Sequence, residues 1–392
     1  MVASGVGIHL KGMRRSNTEA VLQAVLRQGA LSRAEIAQTT GLSAPSVTKI
    51  TAELLAHGVL AEQDATPTRD PGRPRVPVVV DRSRHRLAGV HIGLRWTRVG
   101  LVDLAGDVRA ERIVDHRKRT PDAVIGEVRD LLDELEAAES TRVLGLGVST
   151  GGWVRPDTGV LVDHPSLRWR DVPIRDALAD RGRPVFVDNS VRALGRAEWL
   201  FGRARFAGSV IFLFIGNVVG AAVLTGGEVH RGRDAAAGVV EHLPVGPAEG
   251  IECSCGRRDC LFSLGSDLAV VERARELGVV GRRANLEQVV GKARRGDPGA
   301  ERLLVRRAER VGEACGLLMD LMAPDLLVLG GGLLQQPGHL DALRAAATRR
   351  AGRVPSVADH IVFSDLGEQA LVRASACVAL DAFARDPLPF VV

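Results

Sequence analysis

Between Ser16 and Leu60 the apolar positions fall into three short runs spaced three or four residues apart, the spacing of helices that bury one face. The first run is Val21, Leu22, Val25 and Leu26. The second holds Ile36 and Ala37 and ends near Gly41. The third is Val47, Ile50 and Leu54. Ser16-x-x-Glu19 and Ser32-x-x-Glu35 match the reciprocal cap in which a serine hydroxyl and a glutamate carboxylate satisfy free amides at a helix start. Ser43 is placed to cap the third helix and Gly58 to stop it. From Val76 onward the pattern changes. Strand-like runs at Val76–Val80, Leu87–Ile92, Val99–Leu104, Val143–Val148, Val185–Val187, Val210–Ile215 and Leu326–Leu329 alternate with helical stretches such as Asp122–Ala138, Ile174–Arg181 and Ala300–Leu321. That alternation predicts an α/β region with layers of helix on sheet.

A chain of 392 residues suits two or three domains. The pattern predicts an N-terminal module over residues 1–80, a first α/β lobe over 81–190 and a second over 191–369, with a C-terminal helix over 370–386 packing back on the first lobe. Residues 61–77 are polar and end in Arg69-Asp70-Pro71-Gly72-Arg73-Pro74-Arg75, which reads as a linker or wing tip. Aromatic residues are only 3% of the chain and Tyr is absent, so the cores must be aliphatic. The longest apolar stretch, Val210 to Leu224, is broken by Gly216, Asn217 and Gly220, and reads as two buried strands around a turn rather than a membrane span. With no apolar segment after the basic residues Lys11, Arg14 and Arg15, a cytoplasmic protein is expected.

Three helices ending in a Pro- and Arg-rich connection fit a winged helix-turn-helix, whose third helix enters the DNA major groove. If Val47, Ile50 and Leu54 face inward, Pro45, Lys49 and Ala52 face outward, flanked by Ser46 and Thr48. Ser43, Pro45, Ser46, Thr48 and Lys49 are therefore candidate DNA contacts. Arg73, held between Gly72 and Pro74, suits a narrow minor groove, where negative potential attracts arginine. Arg69 and Arg75 are placed to reach phosphates. The module carries nine Lys/Arg against six Asp/Glu, and the whole chain has a net charge of +5, which agrees with a polyanionic partner without requiring one. An ordinary three-helix subdomain with a solvated face is the competing reading.

Five cysteines in a chain without secretory features argue against a disulfide framework. Three of them, Cys253, Cys255 and Cys260, follow His242 at short range, and one imidazole with three thiolates makes a closed tetrahedral zinc site. Such a site has no open position and is structural. Cys315 and Cys377 sit in apolar helical stretches and read as buried hydrophobes.

The chain resembles the ROK family of repressors and sugar kinases, specifically its NagC/XylR-type transcriptional regulators. The resemblance rests on the helix-turn-helix with its Gly-Arg-Pro linker, the His242/Cys253/Cys255/Cys260 pattern, Pro156-Asp157-Thr158-Gly159, Pro165-Ser166-Leu167-x-Trp169 and Asp325-Leu326-Leu327-Val328-Leu329-Gly330-Gly331-Gly332. It implies an actin-like ATPase or sugar-kinase fold of two α/β lobes with a sugar cleft between them, and a homodimer or homotetramer on an inverted-repeat operator. It also implies a small effector, most naturally a sugar or sugar derivative, contacted by Asn189, by the residue at 190, here serine, and by His242.

Departures from the family's kinases bear on activity. Their Asp-x-Gly-Gly-Thr phosphate turn is here His91-Ile92-Gly93-Leu94-Arg95, and a leucine at position 94 is expected to intrude where backbone must approach phosphate. Their Asn-Asp pair, which supplies the catalytic base, is Asn189-Ser190. Their second phosphate turn, Gly-Thr-Gly, is Gly216-Asn217-Val218. A serine hydroxyl cannot act as a general base near neutral pH. Asp188 is adjacent but should point away from Ser190 on a strand end. Ser190, Val239 and Phe262 stand where family members place three sugar-binding acids. The expectation is a DNA-binding repressor with a degenerate kinase domain. An atypical sugar kinase and a regulator without a small-molecule effector are the alternatives.

Overall fold

Two serines fix how the second and third helices of the N-terminal module begin. The computed structural model describes residues 10–64, 76–179, 182–352 and 354–391. Helices α1 (Leu10–Gln28), α2 (Arg33–Thr40) and α3 (Ala44–Ala56) are followed by strands β1 (Leu60–Glu62) and β2 (Val78–Val80). Ser32 and Glu35 form the reciprocal cap of α2, and Gly41 ends it in the left-handed conformation. The Ser43 side chain caps α3 with Pro45 in its first turn. The cap expected at Ser16 does not form, because α1 begins at Leu10 and Ser16 lies inside it. The early turns of α1 are held instead by charge. Arg14 pairs with Glu53 of α3 at 2.5 Å, and Arg15 with Asp386 at 3.1 Å. β1 and β2 pair antiparallel, and Leu31 bridges to Val78, so a small wing closes the module. Arg69, Arg73 and Arg75 lie outside the described residues.

The chain divides into two compact units, residues 1–193 with 368–392, and residues 194–367. In the first, β3 (His85–Ile92), β4 (Trp96–Asp103), β5 (Val108–Asp115), β6 (Arg142–Thr150) and β10 (Val185–Asn189) form a sheet in the order β10-β6-β3-β4-β5. β10 and β6 run parallel to β3, while β4 and β5 are antiparallel. A three-stranded sheet of β7 (Trp153–Arg155), β8 (Val160–His164) and β9 (Trp169–Val172) adjoins it. Helix α4 (Pro121–Ala137) buries Val124, Ile125, Val128, Leu132 and Leu135 against Val90, Ile92, Val99 and Val148. The helix expected over Ile174–Arg181 is a single turn, α5 (Ile174–Ala177). Helix α6 (Ser190–Phe201) follows β10 directly and carries the chain from one unit into the other.

In the second unit β11 (Ser209–Ile215) and β12 (Val219–Thr225) form the predicted pair of buried strands. With β13 (Glu228–Val229), β14 (Leu326–Gly331) and β15 (Ile361–Phe363) they make a sheet in the order β13-β12-β11-β14-β15. Helices α7 (Leu261–Gly265), α8 (Asp267–Glu276), α9 (Leu286–Arg294), α10 (Pro298–Met322) and α11 (Leu340–Arg350) complete it. Gly312 and Gly316 let α10 approach the α11 backbone closely.

The chain then returns to the first unit with α12 (Ala370–Arg385) and a final turn, α13 (Leu388–Val391). Helix α12 lies on the first sheet with backbone against backbone. A Cβ at Gly89 would overlap the Val372 carbonyl oxygen, and one at Gly147 the Ser375 carbonyl oxygen. Among the described residues no helix is long and apolar enough to cross a membrane.

The glycine seat yields a stability prediction. Gly147→Ala should lower stability by about 1–3 kcal/mol, the usual cost of overpacking a tight interface. Gly126, inside α4 with nothing within 4 Å of an added Cβ, is the control. Gly126→Ala should be neutral or stabilising by about 0.5–1 kcal/mol. Urea unfolding midpoints of the two variants check this, and equal midpoints would contradict the close seat of α12.

Candidate functional site

The exposed face of α3 is small and polar with one cation. Val47, Ile50, Thr51 and Leu54 are buried, while Pro45, Thr48, Lys49 and Ala52 line the outer side. The Ser43 hydroxyl lies 2.9 Å from that of Ser46. The Thr48 hydroxyl donates to the Ala44 carbonyl at 2.9 Å, which leaves its methyl on the outer face. Arg33 ties the helices to the wing by donating to Thr51 Oγ1 at 3.2 Å and to Glu62 Oε1 at 2.7 Å. Five side chains named from the sequence, Ser43, Pro45, Ser46, Thr48 and Lys49, thus share the first turns of one capped helix.

His91 sits near the end of β3. Its imidazole is buried, with Nδ1 3.1 Å from Ser149 Oγ and 3.3 Å from Ser190 Oγ. Ser149 Oγ lies 2.8 Å from Ser375 Oγ of α12, and Ser375 donates to the Leu371 carbonyl at 2.7 Å. His91 and Ser190, 99 positions apart in the chain, are therefore neighbours joined through neutral groups. Burial pushes His91 down to about 3, and the nearby charges of Arg98 and His164 push the same way. Leu94 differs from expectation. It packs against the sheet core instead of filling the turn, because a leucine gains more from apolar surroundings than from a solvated loop. Arg95 is exposed.

Asn189 is engaged on both sides of its amide. Its Nδ2 donates to the Gly152 carbonyl at 2.8 Å, and its Oδ1 accepts from the Val191 amide at 2.8 Å, closing the turn into α6. Asp188 is buried and accepts from Arg192 Nε at 2.6 Å, while Arg192 also donates to the Val154 carbonyl. Its carboxylate is spent on that pair.

In the second unit the Gly216 carbonyl accepts from the Asp267 amide at 2.9 Å. The Asp267 carboxylate lies where a Cβ on Gly332 would sit, and it pairs with the fully buried Arg307. Burial raises the Asp267 carboxyl in spite of that arginine. The sequence offered no signal for this acid against the Gly330–Gly332 turn, since residues 267 and 332 are far apart along the chain.

His242, Cys253, Cys255 and Cys260 converge, with one ligand atom from each lying within 4.8 Å of all the others. A tetrahedron with Zn–S bonds of about 2.3 Å has S···S edges of roughly 3.8 Å, so the donor set fits such an ion. The approach is built by backbone pairing. Val245 N donates to the Asp259 carbonyl at 2.9 Å, Leu261 N to the Leu243 carbonyl at 2.8 Å and Phe262 N to the Glu241 carbonyl at 2.9 Å. Gly256 turns the loop at φ +78°, and its amide donates to the Cys253 carbonyl at 2.8 Å. Burial pushes the Cys253 thiol up to about 11, the cost of an anionic sulfur there without a cation. Backbone donation from Arg257 lowers the exposed Cys255 thiol. Cys315 and Cys377 are buried, as their apolar surroundings implied.

Comparison with known proteins agrees with this architecture. The family model described as "ROK family" matches residues 87–382. A transcriptional regulator of Mycobacterium tuberculosis is 32% identical over 390 residues, covering 95% of this chain and 87% of the relative. The DNA-binding transcriptional dual regulator NagC of Escherichia coli is 24% identical over 379 residues, covering 93% of each. Among solved structures, a ROK family transcriptional regulator homologous to the E. coli MLC protein superposes with a TM-score of 0.81 at 22% identity, covering 97% of this chain and 99% of that one. A ROK hexokinase of Thermus thermophilus superposes with a TM-score of 0.64 at 27% identity over 76% of this chain and 99% of its own. A winged helical module thus precedes an actin-like, sugar-kinase-type domain. The chain belongs to the ROK family and, within it, to the transcriptional regulators.

The buried His91 predicts a pH dependence. An unfolded histidine takes a proton near 6.5, whereas His91 in the fold resists protonation down to about 3. The stability it contributes is therefore present above pH 6.5 and is lost as pH falls toward 3, since the unfolded state then binds the extra proton. His164, also lowered chiefly by burial, acts in the same sense. Urea midpoints measured at pH 7 and pH 5 should fall toward acid in the wild type and less steeply in His91→Gln. Equal slopes for the two proteins would place the acid sensitivity elsewhere.

Proposed function

We propose that this protein is a sequence-specific DNA-binding repressor whose kinase-like domain no longer transfers phosphate and instead answers to a small effector, a sugar or sugar derivative. The observation that carries the reading is the His91–Ser190 hydrogen bond. Phosphoryl transfer needs a base for the sugar hydroxyl and groups that position and neutralise the phosphates. Here the base position holds a hydroxyl, its neighbour is an uncharged imidazole, and the two bond to each other. The Asp267 carboxylate, paired with Arg307, fills the space beside Gly332 at the other glycine turn. In this reading His242, Cys253, Cys255 and Cys260 hold one structural zinc ion, and Asn189, Ser190 and His242 are the effector contacts that the family resemblance nominates.

DNA is held by the α3 face. Ser43, Pro45, Ser46, Thr48 and Lys49 enter the major groove, and Arg69, Arg73 and Arg75 follow the adjacent backbone or minor groove. Two copies of the chain read an inverted repeat, as two-fold symmetry of protein and operator requires. Helix α12 supplies a physical route between domain and module. It bears Ser375 of the His91 network, and beyond its end Asp386 pairs with Arg15 of α1.

The DNA reading is tested with Lys49→Ala combined with Arg73→Ala. Operator affinity at physiological salt should fall at least tenfold, and the slope of log affinity against log salt should shrink by about one for each phosphate interaction removed. Unchanged affinity and slope would show that this module does not grip DNA.

The loss of catalysis is tested by assaying wild type and Ser190→Asp with ATP, magnesium and a panel of hexoses, amino sugars and pentoses. Neither protein should phosphorylate a sugar above the no-enzyme control, because a base alone restores neither phosphate turn. Turnover by the wild type would refute the non-enzyme reading. Turnover by Ser190→Asp alone would show the nucleotide turns to be competent.

A further inference from the structure

Glu241 stands immediately before His242, and nothing in the motif that identifies the metal ligands calls for an acid there. Its carboxylate reaches the far side of the imidazole, with Oε1 3.2 Å from His242 Nε2. The other ring nitrogen, Nδ1, lies 3.3 Å from Cys253 Sγ, on the side of the three thiols. The ring is therefore held between an oxygen acceptor and the sulfur cluster. Glu241 is itself anchored, since its carbonyl accepts from the Phe262 amide two residues past Cys260. The same backbone pairing that brings Cys260 to His242 thus fixes the residue behind His242. Both side chains are about one-third exposed.

We propose that Glu241 is a positioning residue of the metal centre: its carboxylate accepts the Nε2–H of His242, fixing the tautomer in which Nδ1 is the lone-pair donor to the metal. The inference rests on the zinc reading above. Its physical basis is general. A neutral imidazole carries one N–H, and the hydrogen bond made by that N–H decides which nitrogen is free to ligate. A carboxylate acceptor also makes the ligating nitrogen more basic and restricts ring rotation. When a divalent ion binds, the three thiols release their protons to solvent, and His242 keeps its proton on Nε2 against Glu241. Three thiolates and a divalent cation leave one net negative charge, and the imidazole polarised by Glu241 strengthens the single neutral ligand.

The test measures zinc affinity of the full-length protein by competition with a chromophoric chelator, for wild type, Glu241→Ala and Glu241→Gln. Glu241→Ala should bind zinc about 10–100-fold more weakly, the range found when such an outer partner is removed. Glu241→Gln keeps a neutral acceptor and should fall between the two. Cobalt-substituted protein supplies a second readout. The thiolate-to-cobalt band should keep its intensity in all three proteins, while the ligand-field bands shift in Glu241→Ala as the imidazole loosens. Far-UV circular dichroism of the zinc-saturated variants checks that they fold. Wild type with stoichiometric zinc and both variants with unchanged affinity and cobalt spectra would overturn the role of Glu241 and leave the metal centre standing. An equal fall in the melting temperature of metal-free and zinc-loaded Glu241→Ala, with zinc affinity unchanged, would likewise reduce Glu241 to a local ion pair. Wild type without zinc when purified under reducing conditions free of chelator would overturn the zinc reading, and this inference with it.

Discussion

The first unit depends on how closely helix α12 lies on its sheet. Gly89 and Gly147 place no side chain between the strands and the helix, so backbone meets backbone at Val372 and Ser375. That approach lets one short side chain, Ser375, reach Ser149 across the layer boundary and join the chain of hydroxyls that ends at His91 and Ser190. A larger residue at either glycine would lift the helix by more than a hydrogen bond can span. The helix also carries Arg385, which approaches Glu19 of α1, so its seat sets the position of the N-terminal module against the first sheet.

The neutral network satisfies the polar groups of the buried corner at His91 without a buried charge. Removing one buried carboxylate would leave its former partners unsatisfied, at a cost of about 1–3 kcal/mol for each stranded polar group. A buried histidine and serine that bond each other leave neither stranded. The low basicity of His91 follows from its burial, with the charges of Arg98 and His164 acting in the same direction. The same rule accounts for Asp188, which is tolerated in a buried position because Arg192 and the Asn189 amide satisfy it.

The second unit keeps its cysteine loop by different means. The segment between Leu243 and Phe262 is anchored by Val245 and Leu261 in the core, and backbone bonds across residues 241–262 set the shape of its cysteine loop. Buried Cys253 and Cys260 bring sulfur into surroundings where a lone thiolate is costly, a cost that the proposed zinc ion would relieve. Gly256 supplies the turn that brings the cysteines together.

Periodicity and local spacing make much of this protein legible in its sequence. The helices of the DNA-binding module, the caps at Ser32 and Ser43, the buried strand pair from Ser209 to Thr225 and the convergence of His242 with three cysteines are all encoded within short stretches, because capping, amphipathic burial and tight turns are local. The false cap at Ser16 shows the limit of that logic. A capping pattern is silent when ion pairs from distant Glu53 and Asp386 extend a helix past it. The sequence also places neutral residues, a histidine and a serine, at positions 91 and 190. Only the tertiary structure decides that these two residues touch, that Leu94 turns inward, that Asp267 lies against Gly332 and that Asn189 joins its own turn to the Gly152 carbonyl. His91 and Ser190 are 99 positions apart. Such pairs meet only where sheet register and helix packing have already fixed the backbone.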